Sequence, residues 1–161
     1  MDFSRLQRYE VLGLASAALL VISLFLPWFE LTEVPALRNQ GNSWVCGEGS
    51  FECNGWDTFP IARWLFLSAA LAPILLSYFI VTHQKGQYPT GEFTMTVGLA
   101  VIVLVGFNGI IAKPGTGVEF GISLTYGYFL AMLAGLGLTV AGALRSLEAG
   151  GGAQRKPPAT F

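Results

Sequence analysis

Four long stretches of this chain carry no charged side chain: residues 11–29, 64–82, 93–112 and 120–144, with 19, 19, 20 and 25 residues. Polar residues bracket each of them: Glu10 and Glu30, Arg63 and His83, Glu92 and Lys113, Glu119 and Arg145. A helix needs roughly 20 predominantly apolar residues to cross a hydrocarbon core of ~30 Å, and all four stretches reach that length. Only helices and closed barrels satisfy their backbone groups in lipid, and the stretches lack the period-two alternation of barrel strands. The pattern predicts an all-α membrane protein, a bundle of four transmembrane helices over residues 1–148. It leaves one long outer loop at 30–60, short connectors at 83–91 and 113–119, and a glycine- and proline-rich flexible cytoplasmic tail at 149–161.

Composition agrees. Charged residues make up 12% of the chain and hydrophobic ones 53%, too little charge to cover the surface of a water-soluble domain. A net charge of −1 gives no global attraction to nucleic acid. The lipid bilayer is the partner this composition calls for, with other membrane-protein subunits as candidates. Arg5 and Arg8 before the first stretch would suit a signal peptide. The apolar part, however, outruns the ~7–15 residues of such a segment and ends in Pro27-Trp28-Phe29-Glu30, so it reads as an uncleaved span.

Four spans place both termini on one side. That side carries six basic residues (Arg5, Arg8, Lys85, Arg145, Arg155, Lys156) against three opposite (Arg38, Arg63, Lys113). Positive residues favour the cytoplasm, so the expected arrangement is multi-pass in the plasma (inner) membrane with both termini cytoplasmic. Cys46 and Cys53 then face outward, where disulfides persist. Trp28, Trp44, Trp56 and Trp64 lie on the same side, as interfacial aromatics do.

The outer loop holds the segment N-S-W-V-C-G-E-G-S-F-E-C-N-G-W-D, residues 42–57. Glycines 47 and 49 permit a reversal, so arms 43–46 and 51–53 can pair as a hairpin with a Cys46–Cys53 disulfide across its base. Closing so small a loop contributes roughly 2–3 kcal/mol in the chain-entropy view. Asn54-Gly55 makes a second turn, and Asp57 or Thr58 can cap the second span, with Pro60 in its first turn. Trp44, Phe51 and Trp56 beside Glu48, Glu52 and Asp57 form a candidate partner surface. The alternative is an extracytoplasmic thiol-disulfide oxidoreductase using Cys46 and Cys53. Quinone-coupled membrane oxidants also have four helices, but they depend on a C-x-x-C, whereas this chain has C-x6-C and no further cysteine.

The order of helix, outer loop with Trp28…Trp44-Val-Cys46…Cys53, and Arg63 opening the second helix resembles the claudin and peripheral-myelin-protein layout. That family's loop carries W…W-x-x-C…C, whereas here one residue separates Trp44 from Cys46. Pro27-Trp28-Phe29, Asn54-Gly55-Trp56 and a glycine- and alanine-rich last helix ending Arg145-Ser146-Leu147-Glu148 are similar to uncharacterised four-helix membrane proteins of actinobacteria. That resemblance implies the four-helix fold and supplies no activity.

Candidate chemistry is sparse. The four stretches hold no ionisable acid or base of the kind coupled transport needs. Asn108 reads as an interhelical hydrogen-bonding group, and His83, the lone histidine, as a solvated loop residue rather than a metal ligand. Residues 115–117 form a turn without phosphate-loop spacing, and no serine has a histidine and acid on its side of the membrane. No catalytic residue, metal or cofactor is expected. What the spans do offer is packing. Gly127, Ala131, Gly135, Thr139 and Ala143 fall at every fourth position of the last span, and Gly13 and Ala17 form a shorter stripe in the first. The stripe fits a neighbouring helix of the same chain or of another subunit, the second case admitting a small oligomeric pore. Pro73 should kink the second span, with Ser77 covering the freed carbonyl. The sequence therefore points to a non-enzymatic structural or interaction protein, such as an accessory subunit of a membrane assembly.

The stapled loop has a direct check. The purified chain should react with a thiol reagent only after denaturation and reduction. A Cys46→Ser, Cys53→Ser double variant should stay inserted but be cut faster in its outer loop by protease. A mixed disulfide trapped by Cys53→Ser alone would instead indicate exchange chemistry.

Overall fold

The computed structural model describes residues 8–31, 52–81, 90–111 and 122–153. Four long helices dominate: α1 (Arg8–Leu24), α3 (Ala62–Val81), α4 (Thr90–Gly106, continued by a π-helical turn Phe107–Ile111) and α5 (Tyr126–Ala153). A one-turn helix α2 (Gly55–Thr58) precedes α3. Around the bundle the order is α1, α3, α4, α5, and the ring closes from α5 back to α1. Each helix thus packs on its neighbours in the sequence.

The chain is mostly helical, as the sequence predicts, and the structure adds a small sheet that the sequence reading did not include. Three short strands, β1 (Pro27–Leu31), β2 (Glu52–Asn54) and β3 (Ile122–Leu124), form an antiparallel sheet in the order β2-β1-β3 at one end of the bundle. The reason lies at Pro27. Proline disfavours helical geometry in the residue before it, so α1 ends at Leu24 instead of running to residue 29. Two tight turns, Phe25 N–H to Ile22 O and Leu26 N–H to Ser23 O, complete the stop at 3.1 and 3.3 Å. The fourth apolar stretch is divided in the same way: residues 122–124 are strand and the helix begins at Tyr126. At its other end α5 continues through residues 149–153, which the sequence assigns to a flexible tail.

Among the described residues, two helices are long and apolar enough to cross a membrane, Gly91–Ile111 and Tyr126–Glu148, with Ala62–Tyr78 a shorter apolar helix. Large apolar side chains line both the inside and the outside of the bundle. Leu20, Leu24, Phe66, Val101, Val105 and Leu138 are fully enclosed. Ile22, Leu71, Val103 and Leu133 point outward, more than half exposed.

Close approach of α4 and α5 depends on glycines a heptad apart on each helix: Gly91 and Gly98 on α4, Gly135 and Gly142 on α5. A Cβ placed on Gly98 would lie 2.5 Å from the Thr139 backbone nitrogen, and one on Gly91 2.7 Å from that of Ser146. Gly142 meets the Met95 backbone in the same way, and Gly135 faces Val101 and Ile102. The small-residue stripe of the last helix is therefore occupied within the chain at Gly127, Gly135 and Thr139, while Ala131 is fully buried and Ala143 half-buried. Gly13 lies 3.5 Å in the same sense from Pro73 Cβ, so the proline ring of α3 packs where α1 has no side chain. Hydroxyls on these faces turn back on their own helices, Thr139 Oγ1 to Gly135 O at 2.9 Å and Ser146 Oγ to Gly142 O at 3.1 Å. Asn108 does likewise, donating to Leu104 O at 2.8 Å rather than to another helix.

Two alanine substitutions separate packing from helix propensity. Alanine in place of helical glycine ordinarily gains up to ~1 kcal/mol. Gly106 has open space around it, so Gly106→Ala should raise or leave unchanged the thermal transition in detergent. Gly98→Ala should lower it, by about 1–3 kcal/mol of overpacking against backbone. Equal effects at the two positions would refute the glycine-mediated contact.

Candidate functional site: the sheet-capped end of the bundle

The sheet is built around one side chain. In a regular strand, successive residues point to opposite faces, yet Trp28 and Phe29 are both at 0% exposure. The irregularity is a bulge: β1 pairs Pro27 with Asn54 and Phe29 with Cys53, and the register shifts between them. Trp28 is thereby turned into the bundle while Phe29 packs edge-on against Phe59, 5.9 Å between ring centroids. The Trp28 indole lies among Phe59, Phe66 and Tyr128, at 5.9, 5.7 and 6.2 Å. Its Nε1 donates to the Ser23 carbonyl at 2.7 Å, taking up an acceptor left over where α1 stops.

The indole fits because two glycines stand against it. A Cβ on Gly55 would fall 2.6 Å from Trp28 Cε2, and one on Gly127 2.9 Å from Trp28 Cδ1. On the β3 side, the Trp28 carbonyl accepts the Thr125 N–H at 2.9 Å, and the pairs Phe29–Leu124, Glu30–Ser123 and Leu31–Ile122 follow. One bulged tryptophan thus joins the exit of α1, the approach to α3 and the start of α5.

The approach to α3 is set by Asn54. Its side-chain oxygen caps α2 by accepting the Asp57 N–H at 2.7 Å, and its amide donates back to Asp57 Oδ2 at 2.9 Å. Asp57 and Thr58, expected to cap the long second helix, instead belong to this short turn, where the Thr58 hydroxyl donates to Asn54 O at 2.6 Å. Pro60 precedes α3, which starts at Ala62.

Of the candidate partner surface, Glu52 and Asp57 are exposed and Trp56 is half-buried, stacked 5.3 Å from Phe25 and tilted against Trp64 at 6.0 Å. Trp44, Glu48 and Phe51 lie outside the described residues, as does Cys46 with the expected hairpin arm 43–46. Cys53 sits in β2 at 1% exposure. The described end of the expected hairpin pairs with β1. Arg63 spreads over the outer indoles, its guanidinium carbon 5.1 Å from the Trp56 ring and 5.7 Å from that of Trp64. The sequence marks Arg63 as the start of the second helix and as one of the three outer basic residues, without a binding role. The signal was its place between Trp56 and Trp64, seven residues after one and directly before the other.

At the opposite end, Glu10 of α1 is buried and pairs with Arg145 of α5 at 3.8 Å. Tyr9, Gly13, Pro73, Ser77 and Thr94 line a small crevice beside the pair. Glu10 and Arg145 bracket apolar stretches in the sequence. Closure of the ring between first and last helices brings them together, which one-dimensional spacing does not show. Among the described residues no group of histidine, cysteine and acidic side chains is arranged to hold a metal.

No family model matches this chain, and neither a curated protein nor a solved structure is similar to it.

A double-mutant cycle tests the Trp28 arrangement. Gly55→Ala should destabilise the chain by about 1–3 kcal/mol. Adding it to Trp28→Phe, which removes the second ring, should cost less than in the wild type, a coupling of about 1 kcal/mol or more between touching residues. Strict additivity in thermal unfolding would remove the contact from the account.

Proposed function

We propose that the chain is a non-enzymatic integral membrane protein with four spans, α1, α3, α4 and α5, whose sheet-capped end serves interaction in a larger membrane assembly. The observation that carries this reading is the outward faces of the ring. Val11 and Ile22 on α1, Leu71 and Leu75 on α3, Leu99 and Val103 on α4, and Leu133 and Val140 on α5 are all exposed. In water so continuous an apolar belt would drive aggregation, whereas in a bilayer it is the lipid-facing surface. Two of the four helices also meet the length and composition of a span by themselves. Both termini are assigned to the cytoplasm on the six-to-three basic bias, which puts the sheet, Trp56 and Trp64 outside.

Within this reading Cys46 and Cys53 form a structural disulfide. The enclosure of Cys53 at 1% exposure supports it. A sulfur so enclosed is poorly placed for attack by a substrate thiol, which favours a staple over exchange. Interaction is assigned to the loop carrying Trp44, Glu48 and Phe51, together with exposed Glu52 and Asp57 beside Trp56. Aromatic anchors among acids suit a partner that presents apolar and basic groups.

Two measurements test the proposal. A reporter active only in the cytoplasm should give signal when fused after Phe161 and none when inserted at Asn42, and reversed signals would overturn the orientation. In mild detergent the native chain should co-purify with a membrane partner. A Trp44→Ala, Glu48→Ala variant that folds normally should lose most of that partner. Purification of wild type alone, or an unchanged partner set in the variant, would reject the accessory role.

A further inference from the structure

Arg63 opens α3 at the sheet-capped rim of the bundle, and its position is unusual for a cation. It forms no ion pair with any described residue. Trp56 and Trp64 approach the guanidinium within cation–π range, contacts that engage the faces of the planar group and leave its in-plane N–H donors to find acceptors. One of these, on Nη1, reaches the Trp56 carbonyl at a long 3.4 Å. Nε is enclosed and has no acceptor among the described residues. A guanidinium has five donors in a fixed fork, so most of the hydrogen-bonding capacity of Arg63 is unused by the protein.

The surface beside it is equally specific. Trp64, Leu71, Leu75 and Tyr78 are exposed at helical spacing, making an apolar stripe that runs from Arg63 down α3. At ~1.5 Å per residue the stripe is roughly 20 Å long, enough for an acyl chain in one leaflet. Ser68, the polar residue within it, donates its hydroxyl back to Leu65 O at 2.8 Å and so presents no unmet donor to lipid. An unpaired fork held by two indoles above an apolar track matches a single molecule with a phosphodiester at one end and an acyl chain at the other.

We propose that Arg63 binds the phosphodiester of a phospholipid in the outer leaflet, with the lipid's acyl chain along Trp64, Leu71, Leu75 and Tyr78. The Nη1 and Nη2 donors complement two phosphate oxygens, as paired Arg–phosphate contacts do, while the enclosed Nε takes no part. The assignment rests on the four-span reading above, which puts this rim at the outer interface.

The test uses the full chain in neutral detergent, with lipid retention followed by native mass spectrometry. The probes are dioleoyl phosphatidylglycerol, dioleoylglycerol (the same chains without phosphate) and inorganic phosphate. Wild type should retain phosphatidylglycerol, and Arg63→Gln should weaken that retention about tenfold, the scale of one lost charge-assisted contact. Arg63→Lys, which keeps the charge but not the fork, should fall between them. Arg8→Gln, removing an exposed cation at the far end, should match wild type. Dioleoylglycerol should bind wild type and Arg63→Gln alike. Equal phosphatidylglycerol retention by wild type and Arg63→Gln overturns the site. Displacement of the lipid by millimolar inorganic phosphate overturns the lipid as its occupant. If Arg63→Gln does not fold, Arg63→Lys decides the question, with retention equal to wild type as the refuting result. Release of wild type from membranes by alkaline carbonate would instead sink the four-span reading itself, a failure separate from loss of lipid selectivity.

Discussion

The burial of one indole sets the geometry at the sheet-capped end. Trp28 can be enclosed only if α1 stops before Pro27, if the strand bulges to turn the ring inward, and if Gly55 and Gly127 lack side chains. Its N–H must also find an acceptor, because an unpaired donor in an apolar interior is costly. Ser23 O provides it at 2.7 Å, and the Ser23 hydroxyl is itself tied to Leu20 O, so the last turn of α1 is fixed as well. These conditions come from four separate parts of the sequence. Together they link the ends of α1, α3 and α5 into a cap that the helices alone would not specify.

Below the cap a different force holds the bundle. Helices in lipid gain little from hiding apolar side chains, since the lipid is as apolar as leucine, so their association rests on close packing. The α4–α5 contact meets this requirement with glycines on both helices, each set against the partner's backbone or Cβ-proximal atoms. Polar side chains nearby do not bridge the gap. Thr139, Ser146 and Asn108 each bond a carbonyl one turn earlier in their own helix. Contact between backbones is thus preserved while these donors stay bonded within their own helices.

The helices were legible in the sequence because apolar run length is a local property. All four long helices lie within, or within a few residues of, the uncharged stretches. The sheet was not legible, for a physical reason: its strands are three to five residues long and lie at the edges of apolar runs, where a strand continuing a helix has the same composition as the helix. Pro27 was the one local mark of the boundary. The stripe from Gly127 to Thr139 was visible as a periodicity, but its partner was not, because the α4 glycines at 91 and 98 are a heptad apart and match no four-residue repeat. The buried Glu10–Arg145 pair needed knowledge that the first and last helices touch. The expected loop surface was read from residues 42–57, of which the described part shows Trp56 engaged with Phe25, Trp64 and Arg63 and only the acids fully exposed.

The two ends of the bundle treat charge in opposite ways, and this asymmetry bears on where recognition occurs. At one end buried Glu10, at 8% exposure, pairs with half-buried Arg145, and removing the arginine would leave an enclosed carboxylate without this cation. Such a pair is committed to holding α1 against α5 and has little left to offer a ligand. At the other end Arg63 has no ion-pair partner among the described residues and is held by indoles that are themselves packed on Phe25 and on each other. A rigid mounting removes much of the ordering cost a flexible arginine would bear on binding. The bundle thus ends in two differently mounted arginines, Arg145 paired with Glu10 across α5 and α1, and Arg63 packed against indoles at the sheet-capped rim.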